Sequence, residues 1–339
     1  MMRLPWFKYH APRSVAEAAQ ILAAEGRDAM LIAGGTDLLP NMKRRQQTPA
    51  TLVSLRQVEG LKRVLNGMGL TLGAGLTLSE VVSTPMVRES YRALWQAAAQ
   101  VASPQLRNMG TLGGNLCLDT RCLYYNQNED WRRAIDFCMK RDGKTCWVAT
   151  RSKRCLAISS TDTAPALISL GAKVRLMSAA GERDVALNDL YRNDGIDYLA
   201  RQHDEILTEV VLPERAGWKS TYWKLRRRGS FDFPLLGVAA AARLAADGTV
   251  EEARLVLGAV SSQPLLIEAA QMLVGAKLSD EAIAALGKKA AAAAKPMDNA
   301  DLDLYWRKDV VAEFVAYAFR EIRGDDMAAT RLRIARQTL

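Results

Sequence analysis

Apolar positions in the first sixty residues follow two rhythms. In "SVAEAAQILAAEG" they recur at helical spacing, behind Ser14 and Glu17 at capping-box spacing and ahead of Gly26, which is placed to end the helix. "AMLIA" (29–33) is a short unbroken apolar run, as expected of a buried strand, and it feeds straight into "GGTDLLPNMKRR"; "TLVSL" (51–55) predicts a second strand. From Leu61 the pattern alternates, and "LKRVLNGMGLTLGAG" predicts a hairpin about Asn66-Gly67. "TLSEVV" (77–82) opens a short helix with a second capping box, and "VRESYRALWQAAAQVAS" predicts one amphipathic helix ending before Pro104.

Further on, "TDTAPALISLGAKVRLMS" predicts helix then strand, "AAGERDVAL" a turn and strand, and "EILTEVVLPE" another strand. A boundary falls near Pro213–Gly217. Beyond it, the stretch from Lys219 to Val260 predicts two long strands about Asp247-Gly248. Alanine-rich helices follow near 267–274 and 280–295, and a final amphipathic helix near 308–322. The run "KKAAAAAK" needs nothing beyond helix propensity.

The 339 residues allow two or three domains. No apolar run reaches the ~18–20 residues of a membrane span, and the start, "MMRLPWFKYHAPRS", has no apolar core or cleavage site of a secretory leader. The expectation is a cytoplasmic protein off the membrane. A net charge of +9 admits an acidic partner, a phosphate-bearing ligand or nucleic acid. The basic knots "KRR", "KLRRR" and "TRSKR" come with no nucleic-acid motif, so a solvated or protein-docking surface is expected and no nucleic acid.

Two glycine stretches carry candidate chemistry, "LIAGGTDLLP" and "NMGTLGGN". Neither is a dinucleotide fingerprint. Each follows a defined element and has a threonine beside its glycines (Thr36, Thr111). Such turns let main-chain amides converge on an anion, and two of them together suit one dinucleotide pyrophosphate.

In this order and spacing the two stretches resemble the FAD-binding subunits of the molybdenum hydroxylases, the family of xanthine dehydrogenase and of carbon monoxide dehydrogenase medium subunits. "APRSVAEAAQILA", "STDTAPALISLGA", "EILTEVVLP", "WKLRRRGSFDFPLLGVAAA" and "DLYWR" extend the resemblance over nearly the whole chain. It implies an α+β fold with two N-terminal α/β subdomains at 1–57 and 58–215 and a C-terminal α+β domain at 216–330. It also implies FAD. The pyrophosphate would be wrapped by Leu31, Ile32, Ala33, Gly34, Gly35, Thr36, Asp37 and Leu38. The second stretch, Thr111, Leu112, Gly113, Gly114 and Asn115, would contact the cofactor nearer the flavin, with Val101 packed on it. The ribityl-side carboxylate falls on Asp162, a strand leucine on Leu207 and a lysine on Lys224. Read from the residues alone, Asp162 in "STDTAPAL" serves equally as a helix cap.

In the family pattern "GGN" is soon followed by a segment like "SSTD". Here Leu116 to Ile158 intervene, an insertion at about 117–157 that holds all five cysteines. The last four are spaced C-x15-C-x7-C-x8-C, without a CxxC pair, and His10 and His203 are the only histidines. This pattern suits a [4Fe–4S] cluster, but spacing by itself separates the cluster from neither zinc nor free buried thiols. Nine basic residues against five acidic ones in the insertion would offset an anionic cluster or steer an acidic donor.

The insertion resembles that of the 4-hydroxybenzoyl-CoA reductase β-subunit branch of the family. The resemblance makes Cys122, Cys138, Cys146 and Cys155 the cluster ligands and leaves Cys117 on the flavin side. It implies an electron-transfer subunit with no catalytic side chain. Ferredoxin would feed [4Fe–4S], then FAD, then a small [2Fe–2S] subunit and a large molybdenum-cofactor subunit that reduces 4-hydroxybenzoyl-CoA to benzoyl-CoA, in a dimer of heterotrimers. The alternatives are an FAD subunit of another molybdenum hydroxylase with structural zinc or free thiols in the insertion, and a scaffold protein with a degenerate flavin fold.

Overall fold

The first sixty residues build two parallel crossovers. In the computed structural model, which describes residues 3–335, β1 (Lys8–His10), β2 (Ala29–Ile32) and β3 (Thr51–Ser54) form a parallel sheet in the order β1-β3-β2. Parallel neighbours require a crossover, which the helices Val15–Glu25 and Leu38–Lys43 supply. Ser14 Oγ accepts from the Glu17 amide at 3.1 Å, but the Glu17 carboxylate accepts from the Arg13 amide instead of that of Ser14. Gly26 ends the helix at φ 64°. The glycine stretch leaves the carboxyl end of β2, the place where open parallel sheets bind ligands.

A second, antiparallel sheet runs β4-β5-β8-β6-β7: β4 (Val64–Asn66), β5 (Gly69–Gly73), β6 (Lys173–Ser178), β7 (Gly181–Ala186) and β8 (Ile206–Pro213). The predicted hairpin is β4–β5. The predicted single helix before Pro104 is two, Pro85–Ser90 and Arg92–Ala99. They part at Tyr91 (φ −127°, ψ 53°), whose side chain is drawn into the core and whose hydroxyl donates to the Pro213 carbonyl at 2.9 Å. A long-range anchor here overrides helical continuity.

The third sheet has the order β12-β11-β10-β9, with β9 (Trp218–Leu225), β10 (Leu236–Leu244), β11 (Val250–Gly258) and β12 (Leu265–Leu266). Three long strands stand where the pattern predicted two, because an eight-pair register joins β9 to β10 across the loop "RRRGSFDFPL". Both faces are buried. Tyr222, Ala239 and Val256 join one core, shared with the second sheet and the helix Thr163–Ser169. Trp223, Val238, Ala240, Leu255 and Leu257 join another, under the helices Asp280–Ala293 and Leu304–Arg323. The period of two in the strands thus separates the site-bearing face from the helical face. The last helix begins at Leu304, earlier than predicted, because Asp303 accepts from the amides of Tyr305 and Trp306. Among the described residues no helix is long and apolar enough to cross a membrane.

Trp223 fixes the helical face: its ring lies 5.3 Å from Tyr317 and 6.4 Å from Phe314, and its Nε1 donates to Glu321 at 2.9 Å. Trp223→Ala is expected to lower unfolding stability by about 3–5 kcal/mol. The check is a lower urea midpoint with an unchanged m-value.

Candidate functional site

The two glycine stretches, seventy-odd residues apart, are pressed against each other. A Cβ on Gly34 would lie 1.8 Å from the Met109 carbonyl oxygen, so no other residue fits. Gly35 turns the chain at φ 70°. A Cβ on Gly110 would sit 3.4 Å from Thr36 Oγ1, and the Gly110 carbonyl accepts from the Leu78 amide at 2.9 Å. The second stretch is a short helical turn, Leu112–Leu116, not the open glycine loop its sequence suggests. Its cap is Thr111, whose hydroxyl accepts from the Gly114 amide at 3.1 Å.

Between the stretches opens a cavity of about 550 Å³, within the usual range for a cofactor site. Leu31, Ile32, Ala33, Gly34, Gly35, Thr36, Asp37 and Leu38 line it, with Val101, Thr111, Gly113, Gly114, Asn115, Asp162 and Leu207. Two of the expected contacts lie elsewhere. Leu112 is fully buried in the core beneath the second stretch. Lys224 is fully buried behind Asp162, donating to its Oδ2 at 2.9 Å and to the carbonyls of Gln100 and Asp232 at 3.1 and 2.9 Å. Tyr222, two positions earlier on the same face of β9, donates to Asp162 Oδ1 at 2.7 Å. Burial pushes the Asp162 carboxyl up and the Lys224 ammonium down, each opposed by the other's charge. Asp162 is therefore clamped in place from behind. Asn115 is held similarly: its Oδ1 accepts from the hydroxyls of Thr161 and Thr163 at 2.8 and 2.6 Å.

Sequence reasoning missed several lining residues. Ser160 Oγ is buried on the cavity wall with no partner among the described residues, a donor left for a ligand. Phe231 and Phe233 project from the β9–β10 loop, and Gln47, Asp119 and Tyr198 close the side facing the insertion. Aromatics inside the otherwise polar "RRRGSFDFP" were the available signal for the first two; nothing local marks the others.

The insertion leaves and re-enters the body at a two-residue antiparallel bridge, Arg121 to Ile158, with amide–carbonyl distances of 2.8 and 2.7 Å. Cys122 follows that neck and Cys155 precedes it. Cys138 stands in a tight turn, its carbonyl accepting from the amides of Arg141 and Gly143, after Asp136 and Phe137, both at positive φ. Cys122, Cys138, Cys146 and Cys155 are all buried and unpaired. Cys122, Cys138 and Cys155 share one small core with Tyr125 and Ala157, and Cys146 is close enough to Cys155 to act on its charge. Cys117 lies apart, on the wall of the cavity between the glycine stretches.

Burial pushes the Cys122 thiol up to about 12, opposed by the amides of Tyr124 and Tyr125. It pushes Cys155 up to about 11, opposed by the Ala157 amide, 3.4 Å from its sulfur, and by Lys140. Amides aimed at sulfur stabilise thiolates and tune what they bind. Among the described residues no three His, Cys, Asp or Glu side chains are gathered closely enough for one metal ion. The four thiols nonetheless act on one another across one buried region, Cys122 on Cys138 and Cys155, and Cys155 on Cys138 and Cys146, and an all-thiolate donor set is the chemistry that a [4Fe–4S] cluster takes.

Much of the insertion's positive charge faces inward. Arg132 donates to the Arg44 carbonyl at 2.6 Å, and Arg141 to Thr48 at 3.2 Å. Arg121 pairs with Asp37, bonds Asn41 Oδ1 at 3.1 Å and lies 4.8 Å from the centre of the Phe233 ring. These side chains stitch the insertion to the segment 37–48 that follows the first glycine stretch. The steering surface expected from the charge count has correspondingly fewer members.

Residues 5–215 match the family described as the FAD binding domain in molybdopterin dehydrogenase, and residues 220–322 the CO dehydrogenase flavoprotein C-terminal domain. The chain is 34% identical over 275 residues to the aldehyde oxidoreductase FAD-binding subunit PaoB of Escherichia coli, covering 78% of this chain and 84% of that protein. It is 30% identical over 285 residues to the nicotinate dehydrogenase FAD-subunit of Eubacterium barkeri, covering 82% and 83%. A chain of carbon monoxide dehydrogenase from Hydrogenophaga pseudoflava superposes with a TM-score of 0.79 at 27% identity, covering 95% of this chain and 98% of that one. The expected fold of the molybdenum hydroxylase flavoprotein type is the one observed.

Gly34→Ala is expected to force the two stretches apart and to weaken FAD binding at least tenfold. Flavin absorbance after gel filtration reports the loss, and an unchanged far-UV circular dichroism spectrum confirms that the chain still folds.

Proposed function

The chain belongs to the FAD-binding subunits of the molybdopterin dehydrogenases, and we propose that within this family it is a two-centre electron-transfer subunit of the 4-hydroxybenzoyl-CoA reductase type. One observation carries the reading: four cysteines from a 34-residue span are all buried and unpaired, three of them in one small core with Tyr125, which donates to Asp119 on the wall of the FAD cavity. Buried free thiols of this number have no packing rationale that alanine or valine would not meet as well, and bringing four thiolates together requires compensating metal charge.

In this reading FAD is held by the glycine stretches, with Ser160 Oγ as an added donor and Asp162 held rigid by Tyr222 and Lys224. Cys122, Cys138, Cys146 and Cys155 hold a [4Fe–4S] cluster. FAD supplies two-electron chemistry and the cluster one-electron chemistry, so together they join one-electron donors to a two-electron reduction. The chain's own residues position and insulate. The cysteine Sγ atoms give up protons on loading, and the amides of Tyr124, Tyr125 and Ala157 take up part of the resulting charge. No side chain acts as general acid or base. The proposal also includes a division into units at 1–57, 58–215 and 216–330.

The substrate reaction, 4-hydroxybenzoyl-CoA plus two electrons and two protons to benzoyl-CoA and water, belongs to a large molybdenum-cofactor subunit reached through a small [2Fe–2S] subunit. Ferredoxin is the proposed donor, in a cytoplasmic dimer of heterotrimers. A second reading is favoured by the names of the relatives, which are FAD subunits of an aldehyde oxidoreductase and of a nicotinate dehydrogenase: the same fold serving an oxidising hydroxylase, with zinc in the insertion.

Anaerobically purified protein is expected to contain iron and acid-labile sulfide in equal amounts and to give an EPR signal on dithionite reduction. Cys138→Ser should lose iron and signal while keeping FAD, and Cys117→Ser should keep both. One equivalent of zinc without sulfide overturns the proposal in favour of the second reading.

A further inference from the structure

The wall between the FAD cavity and the four cysteines contains a buried ion pair that neither glycine stretch nor cysteine requires. Lys140, two residues after Cys138, turns back from the insertion and donates to Asp119 Oδ1 at 2.7 Å; both side chains are at least nine-tenths buried. Its other donors go to Thr120 Oγ1 at 2.7 Å and the Gly195 carbonyl at 2.6 Å. An ammonium has three donors, and all three are used. The rings of Tyr125 and Tyr198 flank it, with centres 4.8 and 5.4 Å from Nζ.

Each member of the pair reaches one site. Asp119 lies on the wall of the FAD cavity, where its Oδ2 also accepts from Tyr125 at 3.1 Å and Gln47 at 3.4 Å. Lys140 holds the carbonyl of Gly195, and a Cβ on Gly195 would meet the Cys155 sulfur at 2.6 Å. The Gly195 amide donates in turn to the Cys155 carbonyl at 2.9 Å. A buried pair of this kind is a poor source of stability, since an apolar pair of similar volume often does as well. It does place one fixed positive and one fixed negative charge between two groups whose own charge changes by an electron.

We propose that Lys140 and Asp119 are positioning residues that set the reduction potentials of the cluster and the flavin jointly, with opposite signs. This rests on the two-centre reading given above. The Lys140 cation favours the reduced, more negative cluster. The Asp119 anion disfavours added negative charge on the flavin and, through the pair, limits the effect of Lys140. Their separation from bulk water by Tyr125 and Tyr198 keeps these effects from being screened.

The test is redox titration of the chain holding both cofactors, following the cluster by EPR and the flavin by its visible spectrum. Lys140→Gln should lower both midpoints, and Asp119→Asn should raise both. Each shift should be about tenfold in the equilibrium concerned, or ~59 mV for the one-electron cluster and ~30 mV for the two-electron flavin. The double variant should fall back toward the wild-type values, as coupled sites require, and Lys140→Arg should restore most of the lysine effect. If Lys140→Gln does not fold, Asp119→Asn and the double variant carry the same test. Unchanged midpoints, or shifts of the same sign in both single variants, overturn the inference while leaving the two-centre reading intact. Absence of iron and sulfide in the wild-type chain overturns both.

Discussion

The buried guanidinium of Arg121 holds the insertion and the FAD cavity in one frame. Its backbone closes the neck of the insertion against Ile158, and its side chain pairs with Asp37 at the first glycine stretch and bonds Asn41 in the helix that follows. Its plane lies against Phe233 from the C-terminal sheet's loop. Burial pushes this group down to about 10, so it remains a cation at neutral pH. A cation so fully desolvated must keep its partners, and those partners come from three separate parts of the chain. The next residue is Cys122. The orientation of Cys122 is thereby set by the same contact that shapes the FAD cavity.

Buried ion pairs recur where separate elements meet. Asp162–Lys224 fixes the helix Thr163–Ser169 against β9. Asp119–Lys140 fixes the insertion against the FAD cavity. Glu321 and Arg331 pair beside Trp223 and Thr221, where the chain's last described helical turn returns to the third sheet. Apolar packing alone tolerates sliding between such surfaces. A desolvated charge does not, because losing its partner leaves it uncompensated at a cost of several kcal/mol. The apolar cores give this protein its stability, and the pairs give it register.

The alternation that separates Tyr222 and Lys224 from Trp223 serves the same end. One face of β9 braces Asp162 at the cavity, and the other receives the C-terminal helices. The third sheet therefore supports the site without forming most of its lining. Its one direct contribution is the loop carrying Phe231 and Phe233, where Phe231 sits at φ 59° with its amide bonded to the Ala102 carbonyl at 2.9 Å.

What was legible in the sequence was whatever depends on near neighbours. The first helix, the strand that runs into the glycines at 29–35, the hairpin at Asn66-Gly67 and the β6–β7 turn all follow from local spacing, because turn chemistry and strand alternation act over a few residues; the insertion shows only against the family pattern, and the helix at Leu38–Lys43 only in the fold. The glycine pairs and the four cysteines announced themselves as residue types that ordinary packing does not call for. Tertiary contact decided the rest. Only the fold could show that Gly34 abuts Met109, that Lys224 stands behind Asp162 and not on the cavity wall, that Leu112 belongs to the core, or that Tyr91 breaks a helix. Only the fold could pair Lys140 with Asp119, since a charge in sequence has no partner until the chain brings one to it. Periodicity fixes which face of an element is buried; against which distant residue it is buried depends on packing across tens to hundreds of residues, and no local pattern encodes that.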